Sequence, residues 1–515
     1  MTAGTGWRAQ MRRGVLHLTL DAPGAPVNVL TLPILSSLAD ELSRGLARGA
    51  RAVVLRSGKP GSFINGAQLL LAASLRGRAV RDYVGAFRRL YAQFAAAPVP
   101  TLCLVEGSCF GCGMELSLRF DYRLAADAAE ARFSMTEFRD YAIVTAFGGT
   151  QMLSPLVGLP AGMDLLLGAE PPPRQLQALG LVDRVAPPGR MEGELERFLG
   201  ELEERGWPKR APRPLPSREA LVKAQASIAR GFQARPGPDR ALARTYLKLA
   251  TLPMRPGYSL RDGMAAELRA FLGSLRKAEA REAISFFFIR QASRAGSLGS
   301  AAPAARRNAP LPARPSRALL RRKLGAKGVA LITKPREPRG PQAFMPLPAR
   351  PLVELANVPR SGVRVAFELL ERSGLSPVVT SPRGSFLAAR LAAAYAKAGV
   401  GADRALLAFG FAVLPEQLSK RSRSAGGSVR RALFALAAAA VSALDEGAVA
   451  GPAQVDTMIH SLLGFPVARG SLLRHLVVRG EAAFLRGLAG HFPGAVPVAE
   501  RVLKRWPAFY GKRQR

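Results

Sequence analysis

At 515 residues the chain holds enough material for about three or four domains, and 48% hydrophobic against 22% charged residues is ordinary for a globular protein. Lys and Arg total 74 against 37 Asp and Glu, a net charge of +37, which attracts phosphates on nucleotides, anionic lipid or nucleic acid. A solvated Arg-rich surface gives the same figure, so charge alone does not choose a partner. The three cysteines exclude a disulfide scaffold and place the chain, as an expectation, in a reducing compartment such as the cytoplasm or mitochondrial matrix, not secreted. The longest apolar run, 432–444, is too short to span a bilayer, although the charge leaves peripheral membrane attachment open.

The chain opens with a strand at 15–20, in which His17 reads as a packed or edge residue. A helical period at 34–46 and a buried strand at 52–56 follow. Lys59-Pro-Gly61 then turns into Phe63-Ile-Asn-Gly-Ala67. The apolar run 99–105 leads through a Gly/Cys-rich turn, 107–113, into a helix at 114–119. That order, strand then tight turn then helix, points backbone N–H groups outward at a helix start, where developing negative charge is favoured. Glu115 lies just inside this helix, and Glu137 follows a second strand at 122–125. Two carboxylates flanking such a donor site form an acid–base pair for chemistry beside a carbonyl. Cys109-Phe-Gly-Cys112 has redox or half-zinc spacing, but no second Cys pair or nearby His pair completes a metal set, so no metal is expected.

GCGMELSLRFDYRLA, ARFSMTEF and GGTQMLSPLVGLPAGMDLLLGAEPPPRQLQALGLVDRVAP, with LTLDAPGAPVNVL and KPGSFINGAQLLL upstream, resemble the crotonase (enoyl-CoA hydratase/isomerase) superfamily in order from about residue 14 to 188. The resemblance implies an α/β spiral of ββα units over 1–190. It implies catalytic Glu115 and Glu137, an oxyanion hole of the Ala67 and Cys112 backbone N–H groups, and a substrate loop of Asn65, Gly66, Gly111 and Gly113. Cys112 stands where the family usually has Gly, so the turn must tolerate a Cβ. Other departures are Asn65 and Gln68 in the oxyanion loop, Thr136 before the acid, and Val-Thr-Ala-Phe at 144–147 in place of the usual Pro-Gly.

Residues 191–295 read as connecting helices, with apolar spacing at 241–252 and 264–275. Within them KAEAREAISFFFIRQAS is similar to the connecting helix of the multifunctional α-subunit of fatty-acid oxidation complexes and of the trifunctional protein. In that branch the NAD-binding domain of 3-hydroxyacyl-CoA dehydrogenase comes next. Here 296–340 is instead a basic Pro/Ala/Arg-rich linker without G-x-G-x-x-G, keeping at most a strand at 328–333. Residues 341–515, from QAFMPLPARPLVELANVP onward, resemble that dehydrogenase's end-of-domain strand and then its all-α C-terminal domain, with helices at 390–411 echoed at 432–466. Its catalytic His falls at Gln342 and its substrate Asn at Ala389, while the partner acid Glu354 remains. His460 and His475 read as core or interface residues.

The resemblance therefore implies an enoyl-CoA hydratase, or isomerase, acting on acyl-CoA. It implies no cofactor, no dehydrogenase activity, and a thiolase β-subunit or other large complex as partner. The alternative is a catalytically inactive structural subunit of a ribonucleoprotein or membrane-bound assembly, suited to the charge.

Overall fold

The computed structural model describes residues 6–67, 78–211, 214–234, 237–298, 330–332, 342–344, 352–356, 366, 370, 376–380, 387–397, 429–463, 465–466, 469–477 and 480–506. These form two compact units. The first gathers the described residues up to Gln233 and from Arg240 to Lys277, and the second those within Ala234–Asp239 and from Ala278 onward. The stretch read as connecting helices is thus divided between the two.

The first unit is built on two sheets filled alternately. One takes β1 (Trp7–Arg12), β2 (Val15–Leu20), β3 (Ala52–Ser57), β5 (Thr101–Val105), β7 (Tyr122–Ala126) and β9 (Arg184–Ala186), in that order. Only the β1–β2 pair is antiparallel; from β2 onward every pairing is parallel. The other takes β4 (Ser62–Asn65), β6 (Ser108–Phe110) and β8 (Phe133–Ser134), all parallel. The successive pairs β3–β4, β5–β6 and β7–β8 each lead into a helix, which is the ββα spiral the sequence implies. Thr-Leu-Cys-Leu-Val in β5 is buried at every position, as expected of a parallel strand covered on both faces.

Along the chain the helices are α1 (Leu32–Ala47), α2 (Arg78–Ala96), α3 (Cys112–Ser117), α4 (Thr136–Tyr141), α5 (Gly149–Val157), α6 (Leu159–Leu166), α7 (Pro173–Leu179), α8 (Met191–Glu204), α9 (Arg218–Gly231), α10 (Gly237–Ala250) and α11 (Leu260–Leu275). Thr31 caps α1 by accepting from the Ile34 N–H, with Pro33 in the first turn. Met191, Leu195, Phe198 and Leu202 of α8 close the core over Leu102, Leu104 and Leu124 of the sheet. Each such side chain contributes about 1.5–3 kcal/mol of hydrophobic stabilisation.

One local reading is corrected. The stretch 107–113 is not a single turn, because Ser108-Cys-Phe extends into β6 and only Gly111 turns. The Ser-Cys-Phe triplet sits between glycines, and its strand character comes from pairing with β4 and β8 rather than from local pattern.

The second unit is not all-α, as the resemblance implied. It contains a four-stranded sheet of β10 (Ala330–Ile332), β11 (Gln342–Phe344), β12 (Leu352–Ala356) and β13 (Ser376–Thr380). β10 falls on the strand anticipated at 328–333, and the rest of 296–340 beyond residue 298 lies outside the described residues. The pairing is parallel at β10–β11 and β12–β13 and antiparallel at β11–β12, an order that the short strands do not show in sequence. Its helices are α12 (Ala278–Leu298), α13 (Leu387–Lys397), α14 (Val429–Asp445), α15 (Pro452–Leu463), α16 (Leu472–Val477), α17 (Glu481–Ala489) and α18 (Val496–Arg505). Leu391, Leu436, Ile459, Leu488 and Val502 meet in their core. Of the proposed repeat, the part at 398–411 lies outside the described residues.

Candidate active site

The end of β6 and the start of α3 make the centre. Gly111 is the residue before the helix, at φ 53° and ψ −124°, a combination that side-chain-bearing residues rarely adopt. A Cβ placed on it would lie 2.7 Å from Glu137 Oε1. Cys112 is the first helical residue and is absent from the positive-φ residues, so the turn tolerates its Cβ because Gly111 absorbs the strained dihedral. Gly113 lets α3 approach β4, since a Cβ there would meet the Ile64 carbonyl oxygen at 2.4 Å. Gly66, at φ 87°, accepts from the Leu30 N–H at 2.9 Å, and Ala67 bridges to Leu30. Among the described residues neither the Ala67 nor the Cys112 N–H has a protein acceptor.

The Asn65 side chain is engaged between β4 and β6. Its Oδ1 accepts from Ser62 Oγ at 2.9 Å and Ser108 Oγ at 2.7 Å, stitching β4 to β6. Gln68 lies outside the described residues.

Glu115 is fully buried on α3, and its Oε1 accepts the Phe147 N–H at 2.8 Å and the Gly149 N–H at 2.9 Å. Burial pushes its carboxyl above the ordinary range, while those two N–H groups favour the charged form and pull it back. Glu137 sits in the first turn of α4, where the chain re-enters from β8. Its Oε2 is buried with no hydrogen-bond partner among the described residues. Desolvation first, then the negative charge of Glu115, push the Glu137 carboxyl up to about 8. The two predicted carboxylates are therefore near enough to feel each other's charge but sit in unlike surroundings, Glu115 on the 147–149 backbone and Glu137 beside Gly111.

The departure at 144–147 has a clear structural consequence. The whole segment 142–151 is buried and tied to α10 and α11. Tyr246 Oη accepts from the Thr145 N–H at 3.0 Å and donates to the Ile143 carbonyl at 2.9 Å. Ser274 Oγ accepts from the Val144 N–H at 3.1 Å. The Phe147 ring stacks on Phe87 at 4.1 Å between centroids. Tyr91 donates its hydroxyl to the Glu115 carbonyl at 2.5 Å.

A third carboxylate went unseen in the sequence. Glu267 of α11 is fully buried and accepts the Gly148 N–H at 2.6 Å and the Thr150 N–H at 2.9 Å, with a further short bond from the Thr150 hydroxyl. The signal was present: Glu267 shares the buried face of α11 with Gly263, Phe271 and Ser274. An acid on an apolar face needs buried donors.

The three cysteines are buried and free of disulfides. Burial pushes the Cys103 thiol up to about 12, and those of Cys109 and Cys112 well above their ordinary range, the opposite of a reactive thiolate. No cluster of three or more His, Cys, Asp or Glu with metal-holding geometry occurs among the described residues. No described helix is long and apolar enough to cross a membrane.

In the second unit, Glu354 of β12 accepts from Thr380 Oγ1 at 2.8 Å and from the Leu387 and Ala388 N–H groups at 2.8 and 2.7 Å, so its carboxylate caps α13. His460 packs its ring 4.6 Å from Phe286 and holds the Phe465 carbonyl through Nδ1 at 2.6 Å, and His475 stacks edgewise on Phe465. Both are half-buried packing residues.

The class is set by the first unit: residues 10–207 match the enoyl-CoA hydratase/isomerase family model, so the N-terminal part of the chain is a crotonase-superfamily domain. Among curated relatives, the fatty acid oxidation complex subunit alpha of Vibrio cholerae serotype O1 is 30% identical over 213 residues, 40% of this chain and 29% of that protein. The subunit of the same name from Vibrio parahaemolyticus serotype O3:K6 is 27% identical over 206 residues, 39% of this chain and 29% of that protein. The matched region thus spans under a third of these relatives' length. An enoyl-CoA hydratase from Mycobacterium avium subsp. paratuberculosis K-10 is similar in structure at TM-score 0.40 and 21% identity, covering 55% of this chain and 96% of that one. A carnitinyl-CoA dehydratase from Mycobacterium thermoresistibile gives TM-score 0.43 and 21% identity, covering 55% and 89%.

Proposed function

We propose that the first unit is an enoyl-CoA hydratase that adds water across a 2-enoyl-CoA thioester with Glu115 and Glu137 as its acid–base pair. The observation that carries this is a Glu115 carboxylate held by two N–H donors of the 147–149 backbone, and a buried Glu137 oxygen without a hydrogen-bond partner among the described residues beside Gly111, near enough for the charge of Glu115 to raise the Glu137 carboxyl. Glu115, the better-stabilised anion, takes a proton from water as the water oxygen bonds to Cβ. The C=C electron pair moves onto the thioester as an enolate, whose oxygen the Ala67 and Cys112 N–H groups would receive, each such donor contributing about 3 kcal/mol. Glu137, kept neutral at pH 7 by its surroundings, delivers its proton to Cα, and proton exchange resets the pair. The same groups moving a proton between Cα and Cγ give double-bond isomerisation. No cofactor enters this scheme.

The test is turnover of crotonyl-CoA in D2O by wild type, Glu115→Gln and Glu137→Gln. The scheme requires 3-hydroxybutyryl-CoA carrying deuterium at Cα, with product formation slowed on the order of 10²–10⁴-fold by either substitution. Hydration with both variants fully active would remove the residue roles, and an inert wild type would remove the reading.

A second reading is a non-catalytic subunit of a larger assembly, favoured by Phe147, whose ring packs against Phe87 and Tyr83 where the family usually has Pro-Gly. The helical second unit would then dock a partner, a thiolase-type β-subunit in the catalytic reading, or an RNA-rich or anionic membrane surface drawn by the +37 charge. The use of Glu354 as a helix cap supports the view that no dehydrogenase chemistry remains.

A further inference from the structure

The buried polar groups around the Phe147–Thr150 segment form one directed chain. Tyr258 Oη donates to Gln151 Oε1 at 3.0 Å, and Gln151 Nε2 donates to Thr150 Oγ1 at 2.6 Å. Because that oxygen is already accepting, the Thr150 hydroxyl proton points at Glu267 Oε2. Both Glu267 oxygens accept, one from Gly148 and the other twice from Thr150, while burial first and then the charge of Glu115 push this carboxyl up to about 8. Gly148 and Thr150 alternate with Phe147 and Gly149, whose N–H groups turn the other way to grip Glu115 Oε1. One short run of backbone is thus held between two carboxylates, its successive amides pointing alternately at Glu267 and at Glu115. Gly148, at φ 100°, supplies the reversal this alternation needs.

We propose that Glu267 is a positioning residue for Glu115, fixing through the Phe147–Thr150 backbone the two amides that hold the base. This rests on the hydratase reading given above. Glu267 reaches the reaction only through another residue, because its side chain is fully buried and engaged with main chain and Thr150. Its contribution is geometric: without it the amides of Phe147 and Gly149 are no longer fixed, and Glu115 loses its aim at the water.

The test uses the full chain with Glu267→Gln, whose Nε2 cannot accept the two Thr150 donors, and Thr150→Val, which removes one donor and spares the backbone. Glu267→Gln is expected to lower kcat for crotonyl-CoA on the order of 10- to 100-fold, and Thr150→Val to lower it less, in the same direction. In a Glu115→Gln background each change should alter the residual rate by less than about twofold, because the group it positions is already gone. Equal losses in both backgrounds would mean a general structural role and overturn the proposal. A second readout is independent of catalysis. Amide hydrogen exchange at Phe147 and Gly149 should accelerate in Thr150→Val as well as in Glu267→Gln, and unchanged protection there would overturn the coupling. An inert wild type would defeat the hydratase reading while leaving amide exchange to decide the positioning.

Discussion

Replacing Gly111 by Ala tests how the glycine turn couples fold to chemistry. The residue sits at φ 53°, ψ −124°, where a Cβ costs about 1–3 kcal/mol of backbone strain. The same Cβ would lie 2.7 Å from Glu137 Oε1, inside contact distance, so the carboxyl must swing away or the turn must open. Either movement also shifts the Cys112 N–H, the next residue along. The expected result is a thermal midpoint lower by about 4–10 °C, from roughly 2–3 kcal/mol in a unit of this size. The rate of crotonyl-CoA hydration should fall on the order of 100-fold, as for displacement of a reacting group by about 1 Å. Calorimetry and an initial-rate assay on the same preparation separate the two effects. A variant with wild-type midpoint and wild-type kcat would refute the reasoning, since it would mean that neither the strain nor the contact exists.

Three further outcomes are expected. Glu137→Gln should slow hydration on the order of 10²–10⁴-fold; and because the wild-type carboxyl must be neutral to donate, the rate should hold below pH 8 and decline as pH rises through about 8, as a pH–rate profile would record. The same raised carboxyl opposes folding once it ionises: its contribution is intact below the ordinary Glu range and lost as pH rises through about 8, so Glu137→Gln should flatten that part of the stability curve in denaturant titrations at several pH values. Glu354→Gln should destabilise the second unit by about 2–4 kcal/mol by leaving buried donors at the start of α13 facing an amide, and should leave crotonyl-CoA turnover unchanged, measured by urea unfolding beside the rate assay.

The spiral core was legible because its strands carry short apolar runs bounded by glycine and proline, and because GCGMEL and SMTEF place two acids at recognisable points beside the turn. What stayed hidden depends on contacts distant in sequence. Glu267 acts on Gly148 and Thr150 from a helix more than a hundred positions later, and only its place on an apolar face marked it. Arg123 is another: fully buried, it donates to the carbonyls of Leu181, Ser117 and Phe120, closing the C-terminal end of α3, yet in sequence it is one Arg among many. Asn65 is read as a substrate-loop residue from its position in that loop, and the bonds of its side chain to two serines are contacts that position alone does not give. In the second unit the remnant strand at 328–333 and an end-of-domain strand were legible, whereas the four-stranded sheet was not, because strands of three to five residues carry too little pattern to show their pairing.

The central claim is that two buried carboxylates, Glu115 and Glu137, hydrate an enoyl thioester. It is tested most directly by the loss of crotonyl-CoA absorbance with the purified full chain and with a Glu115→Gln, Glu137→Gln double variant that retains the wild-type thermal midpoint. The account predicts steady turnover by the wild type and only the uncatalysed background rate from the double variant. Equal rates from the two proteins, whether both active or both inert, would contradict it.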